Sequence, residues 1–425
     1  MKMIWQFCYN FIFLPLFYLL VRFSSLFMQK IRRGIRGRKR LFEDLIINRT
    51  SINKINKNIW FHSSSLGEFE QAKPIIEELK KNKQVNIIVS FFSPSGYENS
   101  RKYRYANLIT YLPFDTRVNA EKFVDIVQPD LAVFMRYDIW PNHIWALAGK
   151  NIPCFLVDAT MRRGSARKWP LIKSFHKSLF KNINKILTVS EEDANRFKSF
   201  DCSPQQLKVV GDTRFDRVYK RGLVAKESKL INPAILKGKK ILVAGSTWEQ
   251  DEEVIIPAFQ KLAKYDKDVL LMIAPHEPTL LHLEKLENEF ARTLPSIRFS
   301  YLNDYSGQRV IIVDSIGILL TLYTYADVAF IGGSFKQNVH NVLEAAVYGI
   351  PVLFGPKIEK SQEAKQLADT GGGIIIHNKP EAYRNLRLLF NDTELRKTRG
   401  KSSLDYVQKN IGATEKIIKE IYNIF

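Results

Sequence analysis

The chain has 425 residues, of which 45% are hydrophobic, 12% aromatic and 25% charged. This length exceeds one ordinary core and predicts two domains or three; the charge content excludes a polytopic membrane protein, and the apolar content excludes global disorder. Sixty-four Lys and Arg against 43 Asp and Glu leave a formal charge of +21, which implies an anionic partner: nucleic acid, a phospholipid surface or acidic small molecules.

The charge is uneven. Residues 1–60 hold 12 basic side chains and two acids, Glu43 and Asp44, a net +10. Met3 to Val21 is uncharged. Nineteen such residues can just cross a bilayer, although Gln6, Asn10 and Pro15 interrupt the pattern. Seven Lys or Arg follow between Gln29 and Arg40, and basic flanks of this kind stay on the cytoplasmic side. Residues 1–40 therefore read as an uncleaved membrane anchor with a basic segment against anionic headgroups. A helix lying in the membrane surface, or a buried helix of a soluble fold, fits the same run. Cys8, Cys154 and Cys202 are too far apart for a disulfide framework or a metal motif, which suits a reducing compartment.

From Asn58 onward short apolar runs alternate with amphipathic stretches. Predicted strands are Ile59–His62, Val85–Ser90, Leu108–Tyr111, Leu131–Met135, Pro153–Val157, Ile186–Val189 and Leu207–Val210, with helices among them at Glu70–Lys81, Asn119–Val127 and Glu191–Phe200. A polar, basic stretch over Tyr219–Lys239 interrupts the series. A second series follows, with strands Lys240–Ala244, Val269–Ile273, Val310–Val313, Val328–Ile331, Val352–Phe354 and Gly373–Ile376. Its helices fall near Gln250–Tyr265, Thr279–Phe290, Asn341–Tyr348, Gln362–Asp369 and Pro380–Phe390, and the last 30 residues read as helix. The pattern predicts an α/β chain of two Rossmann-like domains, 41–220 and 239–425, joined by a linker at 221–238 and facing a ligand cleft; the final helix packs back on the first domain.

Six segments could carry chemistry. In HSSSLGEFEQAKPII (His62–Ile76) a strand gives way to a helix, and Glu68 near the helix start could act as a general base that the helix end keeps ionised, or simply stabilise that helix. In MRYDIWPNHIW (Met135–Trp145) a strand end delivers Arg136, Tyr137 and Asp138. In VVGDTRFDRV (Val209–Val218), Arg214 could reach an anion or pair with Asp212 or Asp216. In AGSTWEQDEEVI (Ala244–Ile255), Ser246 and Thr247 could cap a helix or hold a phosphate oxygen, although the acids that follow repel one. In IAPHEPTLL (Ile273–Leu281), Pro275-His276 ends a strand. The most informative segment is Val313–Pro356, where a strand runs into Gly332-Gly333-Ser334 and then His340-Asn341-Val342-Leu343-Glu344. Glycines there admit a ligand close to the backbone, the next helix offers its N-terminus to phosphate, and Glu344 can accept ribose hydroxyls. Asp266-Lys267-Asp268 reads as a turn, and no phosphate-loop or zinc motif is present, so no metal or other cofactor is expected.

In order and spacing, HSSSLGE, DIWPN, GDTRFD, GSTWEQDEE, the APHEP loop and GGSF…HNVLEAA…PVLFGP resemble the Kdo (3-deoxy-D-manno-octulosonic acid) transferases of lipopolysaccharide synthesis, from the anchor to about Gly373. The resemblance implies a GT-B enzyme on the cytoplasmic face of the inner membrane. It would transfer Kdo from CMP-Kdo to lipid IVA, the lipid A precursor, with inversion. Glu68 matches the general base; Asp138 and Arg214 match positions that steady the transition state. Pro275-His276, Ile316-Gly317-Ile318 and Asn341–Glu344 match the segments around CMP; Ser246, Thr247, Gly332, Gly333, Ser334 and His340 are further contacts. There are departures: Arg136 stands where the family often has an acid, Arg214 where Lys is usual, Ile318 where Glu is common, and Pro-His-Glu replaces Pro-Arg-His. A transferase for a UDP- or GDP-sugar, or a non-enzymatic binder of nucleotide sugars or anionic lipid, would share the architecture. A nucleic-acid partner is not expected, because the basic residues cluster beside the anchor and no such motif occurs.

Overall fold

The computed structural model describes residues 2–82, 84–162 and 164–424. The chain forms two units, Met1–Arg217 with Ile411–Phe425, and Val218–Asn410. Each is built on one seven-stranded parallel sheet.

In the first unit the strands are β1 (Lys57–Ser63), β2 (Val85–Phe91), β3 (Leu108–Tyr111), β4 (Leu131–Met135), β5 (Cys154–Ala159), β6 (Lys185–Thr188) and β7 (Leu207–Val209). Their order is β3-β2-β1-β4-β5-β6-β7. Alternation along β1 sends Ile59 and Phe61 into one buried cluster with Phe69, Ile75, Ile76 and Leu79 of the helix Leu66–Asn82. Trp60 enters the cluster on the opposite face, with Phe123, Phe134 and Trp145. Both faces are covered, which is why these strands read as continuous apolar runs.

The second unit has β8 (Lys240–Thr247), β9 (Val269–Pro275), β10 (Ser296–Arg298), β11 (Val310–Ile312), β12 (Val328–Ile331), β13 (Val352–Phe354) and β14 (Gly373–Ile375), ordered β10-β11-β9-β8-β12-β13-β14. Hydropathy does not mark β10, an edge strand whose three residues are only half-buried. In both sheets the chain order reverses beside the first strand, between β1 and β4 and between β8 and β12. Ligands of such sheets bind at the carboxyl ends of these strands.

The predicted linker begins inside a helix, Thr213–Lys226, and the units part at Arg217/Val218. The C-terminal helical stretch is two helices, Thr393–Asn410 and Ala413–Tyr422, parted at Gly412 with φ of 101°. The last belongs to the first unit. Ile417, Ile418 and Ile421 join the cluster under β1. The Asp216 carboxylate accepts the N–H groups of Gly412 and Thr414, both at 2.6 Å, which caps that helix.

Met3–Phe27 is one helical run long and apolar enough to cross a membrane. A π-turn over Tyr9–Phe13 precedes Pro15, whose ring removes one N–H from the helical ladder.

Candidate active site

Glu68 lies in the first turn of the helix that follows β1. It is 8% exposed, and its carboxylate accepts the N–H of Ser64 at 2.7 Å and of Ser65 at 3.2 Å. The helix end is not the main influence on its proton affinity. Burial first, and the Asp138 charge second, raise its pKa, and the two N–H bonds offset only part of this. A carboxylate with raised proton affinity is better matched to taking a proton from a hydroxyl.

Asp138 follows β4, across the reversal point from Glu68. One of its oxygens, Oδ2, lies 2.7 Å from His62 Nε2 and also accepts the Ser64 hydroxyl. His62 is fully buried in β1. A chain of polar groups stands behind it. Trp60 Nε1–H donates to Ser90 Oγ at 2.8 Å, and the Ser90 hydroxyl proton is then free for His62 Nδ1, also at 2.8 Å. Nε2 faces both Asp138 and Trp140, whose indole N–H donates to it at 3.0 Å. Burial works against the Asp138 charge, but His62, the Ser64 hydroxyl and the Trp140 indole outweigh it and hold the carboxyl below its usual range. His62 has no role that its local sequence assigns. Its signal was a polar residue at the end of an otherwise apolar buried strand.

Arg214 is paired within its own unit: Nη2 donates to Asp212 Oδ2 at 2.6 Å and Nε to the same oxygen at 3.0 Å. Asp212 also accepts Gln71 Nε2 at 3.1 Å, and the Arg136 Nη1 donates to Gln71 Oε1 at 3.4 Å. A second carboxyl, Asp158, is fully buried beside this group. Burial and the Asp212 charge push its pKa well up, whereas Arg214 outweighs burial at Asp212 and holds that carboxyl low. The Thr213 hydroxyl has one proton and two oxygen neighbours, Gln71 O at 2.8 Å and Asp158 Oδ2. One hydroxyl proton serves these two acceptors in turn. Arg136 and Asp158 both have φ in the left-handed region, 61° and 50°, as does Ser246 at 55°. All three stand at the carboxyl end of a strand, where such strain accompanies functional geometry.

The second unit assembles its own set around the ends of β8, β9 and β12. Gly332 and Gly333 are required by the chain itself. A Cβ at Gly332 would meet Ser246 O at 2.3 Å, and one at Gly333 would meet Asn338 O at 2.4 Å. The buried Asp251 carboxylate, which sequence reasoning treated as repulsive to a ligand, accepts the N–H of Gly333 at 2.7 Å, of Phe335 at 3.1 Å and of Trp248 at 2.9 Å. These three donors are therefore occupied by protein. Ser334 and Thr247 also turn inward: Ser334 Oγ accepts Gly355 N–H at 2.6 Å, and the Thr247 hydroxyl donates to Glu252 at 2.7 Å.

The His276 and His340 rings stack at 4.3 Å. Trp248 Nε1–H donates to His340 Nε2 at 3.1 Å, and Lys336 Nζ lies 3.2 Å from the Trp248 ring centre. Burial, then the neighbouring His276, lowers the His340 pKa to about 4. Trp248 and Lys336 carried no role in the sequence reading. The helix expected over Asn341–Tyr348 is a single turn, Leu343–Ala346, too short to present a dipole to phosphate. Val342 and Leu343 bury their side chains, so only Asn341 and Glu344 present polar groups; they bond each other at 3.2 Å. Ile316 is 85% exposed, and Gly317 beside it has φ of 87°. Pro275 is the last residue of β9.

Residues 38–217 match the family model described as 3-deoxy-D-manno-octulosonic-acid transferase (kdotransferase). A curated 3-deoxy-D-manno-octulosonic acid transferase of Rickettsia bellii is 27% identical over 423 residues, 98% of this chain and 97% of that one. One of Haemophilus influenzae is 25% identical over 374 residues, 85% of this chain and 86% of that one. Among solved structures, UDP-GlcNAc 2-epimerase from Neisseria meningitidis, bound to UDP-GlcNAc, superposes with a TM-score of 0.61 at 14% identity, covering 86% of this chain and all of that one. That likeness establishes the fold, the paired Rossmann architecture of the GT-B enzymes. The chain is thus similar to the Kdo transferases along nearly its whole length, and residues 38–217 match the model of their family domain.

Proposed function

We propose that the protein transfers Kdo from CMP-Kdo to the lipid A precursor lipid IVA, at the cytoplasmic face of the inner membrane, with inversion. Glu68 takes the proton of the acceptor hydroxyl. The hydroxyl oxygen forms the new bond to the anomeric carbon, from the face opposite CMP. The bond from that carbon to the phosphate oxygen breaks, and CMP leaves with its electron pair. Asp138, held by His62, and Arg214, held by Asp212, face the charge that develops on the sugar. The observation that carries the reading is the buried Glu68 carboxylate, held by the Ser64 and Ser65 N–H groups at the reversal point of the first sheet. The names of the relatives support the donor sugar. On the second unit, Pro275-His276, Ile316–Ile318 and Asn341–Glu344 surround CMP; Ser246 and His340 are further contacts, and Gly332, Gly333, Ser334 and Thr247 shape the loop beneath. The anionic membrane surface is the third partner.

The test incubates the purified protein with CMP-Kdo and lipid IVA in detergent. CMP release with a Kdo-bearing lipid, read by mass spectrometry, is the expected result. No product with both substrates present would overturn the reading. Thermal protection by CMP and not by UDP separates it from a transferase of UDP-sugars.

A further inference from the structure

The apolar N-terminal helix does not leave the first unit. Trp5 meets Phe175 edge-on at 5.8 Å, and the Tyr9 hydroxyl donates to the buried Asp115 at 2.7 Å. Asn10 and Asn142 exchange hydrogen bonds at 3.2 and 2.9 Å, and Tyr18 packs on Phe114 at 6.0 Å. Residues 5 and 18 are thus both seated on one domain, which lays about 20 Å of helix axis along its surface. The chain is tied again just beyond. Arg38 donates to Leu112 O at 2.7 Å and Phe92 O at 2.6 Å, and stacks on Phe92, Tyr111 and Phe114. A spanning helix must part from its domain; this one stays on it from Trp5 to Tyr18. The other face is bare, with Phe7, Phe11, Leu16, Leu19, Phe23 and Phe27 each more than half exposed.

A second segment has the same character. Between Arg162 and Lys181 the sequence has seven Lys or Arg and no acid. Trp169 and Leu171 within it are 67% and 76% exposed, and Ile172 is exposed beside them. Leu171 and Ile172 open the helix Pro170–Phe180, one turn before the Phe175 that packs on Trp5 and Tyr9. The same segment touches the site: Arg167 Nη2 donates to the carbonyl of Tyr137, the residue before Asp138, at 2.9 Å.

We infer that the first unit is monotopic: its N-terminal helix lies in the plane of an anionic phospholipid bilayer, and the turn Trp169–Ile172 enters the same leaflet as a second contact. Charge selects the occupant. Exposed Lys30, Arg32, Arg33, Arg36, Lys39 and Arg40 follow the apolar helix, and a Trp among basic residues belongs at the headgroup boundary. The arrangement brings the RYD segment to the membrane surface, where the hydroxyl of an anchored lipid is presented. It deepens the membrane reading above, but its topology readout requires no turnover, so failure of Kdo transfer and failure of this inference are separable.

Met3→Cys and Met28→Cys, each in a Cys8→Ser background with the parent as blank, are placed in inside-out membrane vesicles and treated with a membrane-impermeant maleimide. Both are expected to label without permeabilisation. Labelling of Met3→Cys only after detergent would show a spanning helix and overturn the inference. In a second arm, Trp169→Glu/Leu171→Glu is floated with vesicles of equal phosphatidylcholine and phosphatidylglycerol. Binding is expected to weaken at least about tenfold with the unfolding temperature unchanged, since both positions are exposed. Unchanged binding would remove the second contact. Self-association without vesicles would give the apolar face to another copy instead, and would also overturn it.

Discussion

His62 Nε2 stands 2.7 Å from Asp138 Oδ2, joining the end of β1 to the end of β4 at the reversal point of the first sheet. Four side chains in series, Trp60, Ser90, His62 and Asp138, link the buried sheet to its carboxyl edge. Asp138 is thus tied to groups inside the core. Asp138 in turn raises the proton affinity of Glu68.

Glu68→Gln removes the proposed base and keeps the two N–H contacts within reach of an amide oxygen. Transfer is expected to fall by about 10²–10⁴-fold. Protection by CMP against heat should persist, because the substitution lies in the other unit from the CMP segments. Retained turnover would dismiss Glu68 as the base.

His62→Gln tests positioning. Loss of the ring leaves Asp138 without its oriented donor and costs about 1–3 kcal/mol of stability for a broken buried bond. Activity should fall with it, mainly in kcat. Combined with Asp138→Asn, the two effects should be clearly non-additive, because one acts through the other. Additive losses would assign His62 to the core alone.

The pH profile carries a sign. Glu68 works as a base only when ionised, and its raised pKa places the acid limb of kcat/KM above the ordinary carboxylate range. The Asp138 charge is one cause of that shift. Asp138→Asn should therefore move the acid limb to lower pH while lowering the plateau. A limb that stays in place would mean that another group sets it.

Asp251→Ala leaves the Gly333, Phe335 and Trp248 N–H groups without their acceptor. The second unit should lose about 2–4 kcal/mol and its protection by CMP, measured by thermal unfolding. Asp251→Asn keeps one acceptor oxygen and should fall between.

His340 titrates at about 4 in the folded protein against its ordinary 6.5. Below pH 6.5 the unfolded chain takes up a proton that the folded one refuses, so this group lowers stability as the pH falls from 6.5 to about 4. His340→Gln should flatten that part of the stability curve for the second unit. An unchanged slope would exclude His340 as its source.

Much of this protein is legible in its sequence. Strands such as Leu131–Met135 and Val328–Ile331 are continuous apolar runs because a parallel sheet covered on both faces buries every residue in them. The reversal-point residues were legible too, because polar groups straight after such runs have nowhere to go but the sheet edge. The partnerships were not. His62 with Asp138, Asp251 with Gly333, Tyr9 with Asp115 and Asp216 with Gly412 join residues 76, 82, 106 and 196 positions apart, and no local pattern encodes a contact at that range.

The +21 charge shows the same division. Its concentration near the N-terminus can be counted in the sequence. Tertiary structure decided that Arg38 serves the fold: burial holds its pKa down at about 10 against three aromatic rings and three carbonyls. It also raised the proton affinity of Glu68, a sign that position in the helix argued the other way. A pKa answers to the dielectric and the charges around a group, and those exist only once distant segments have packed.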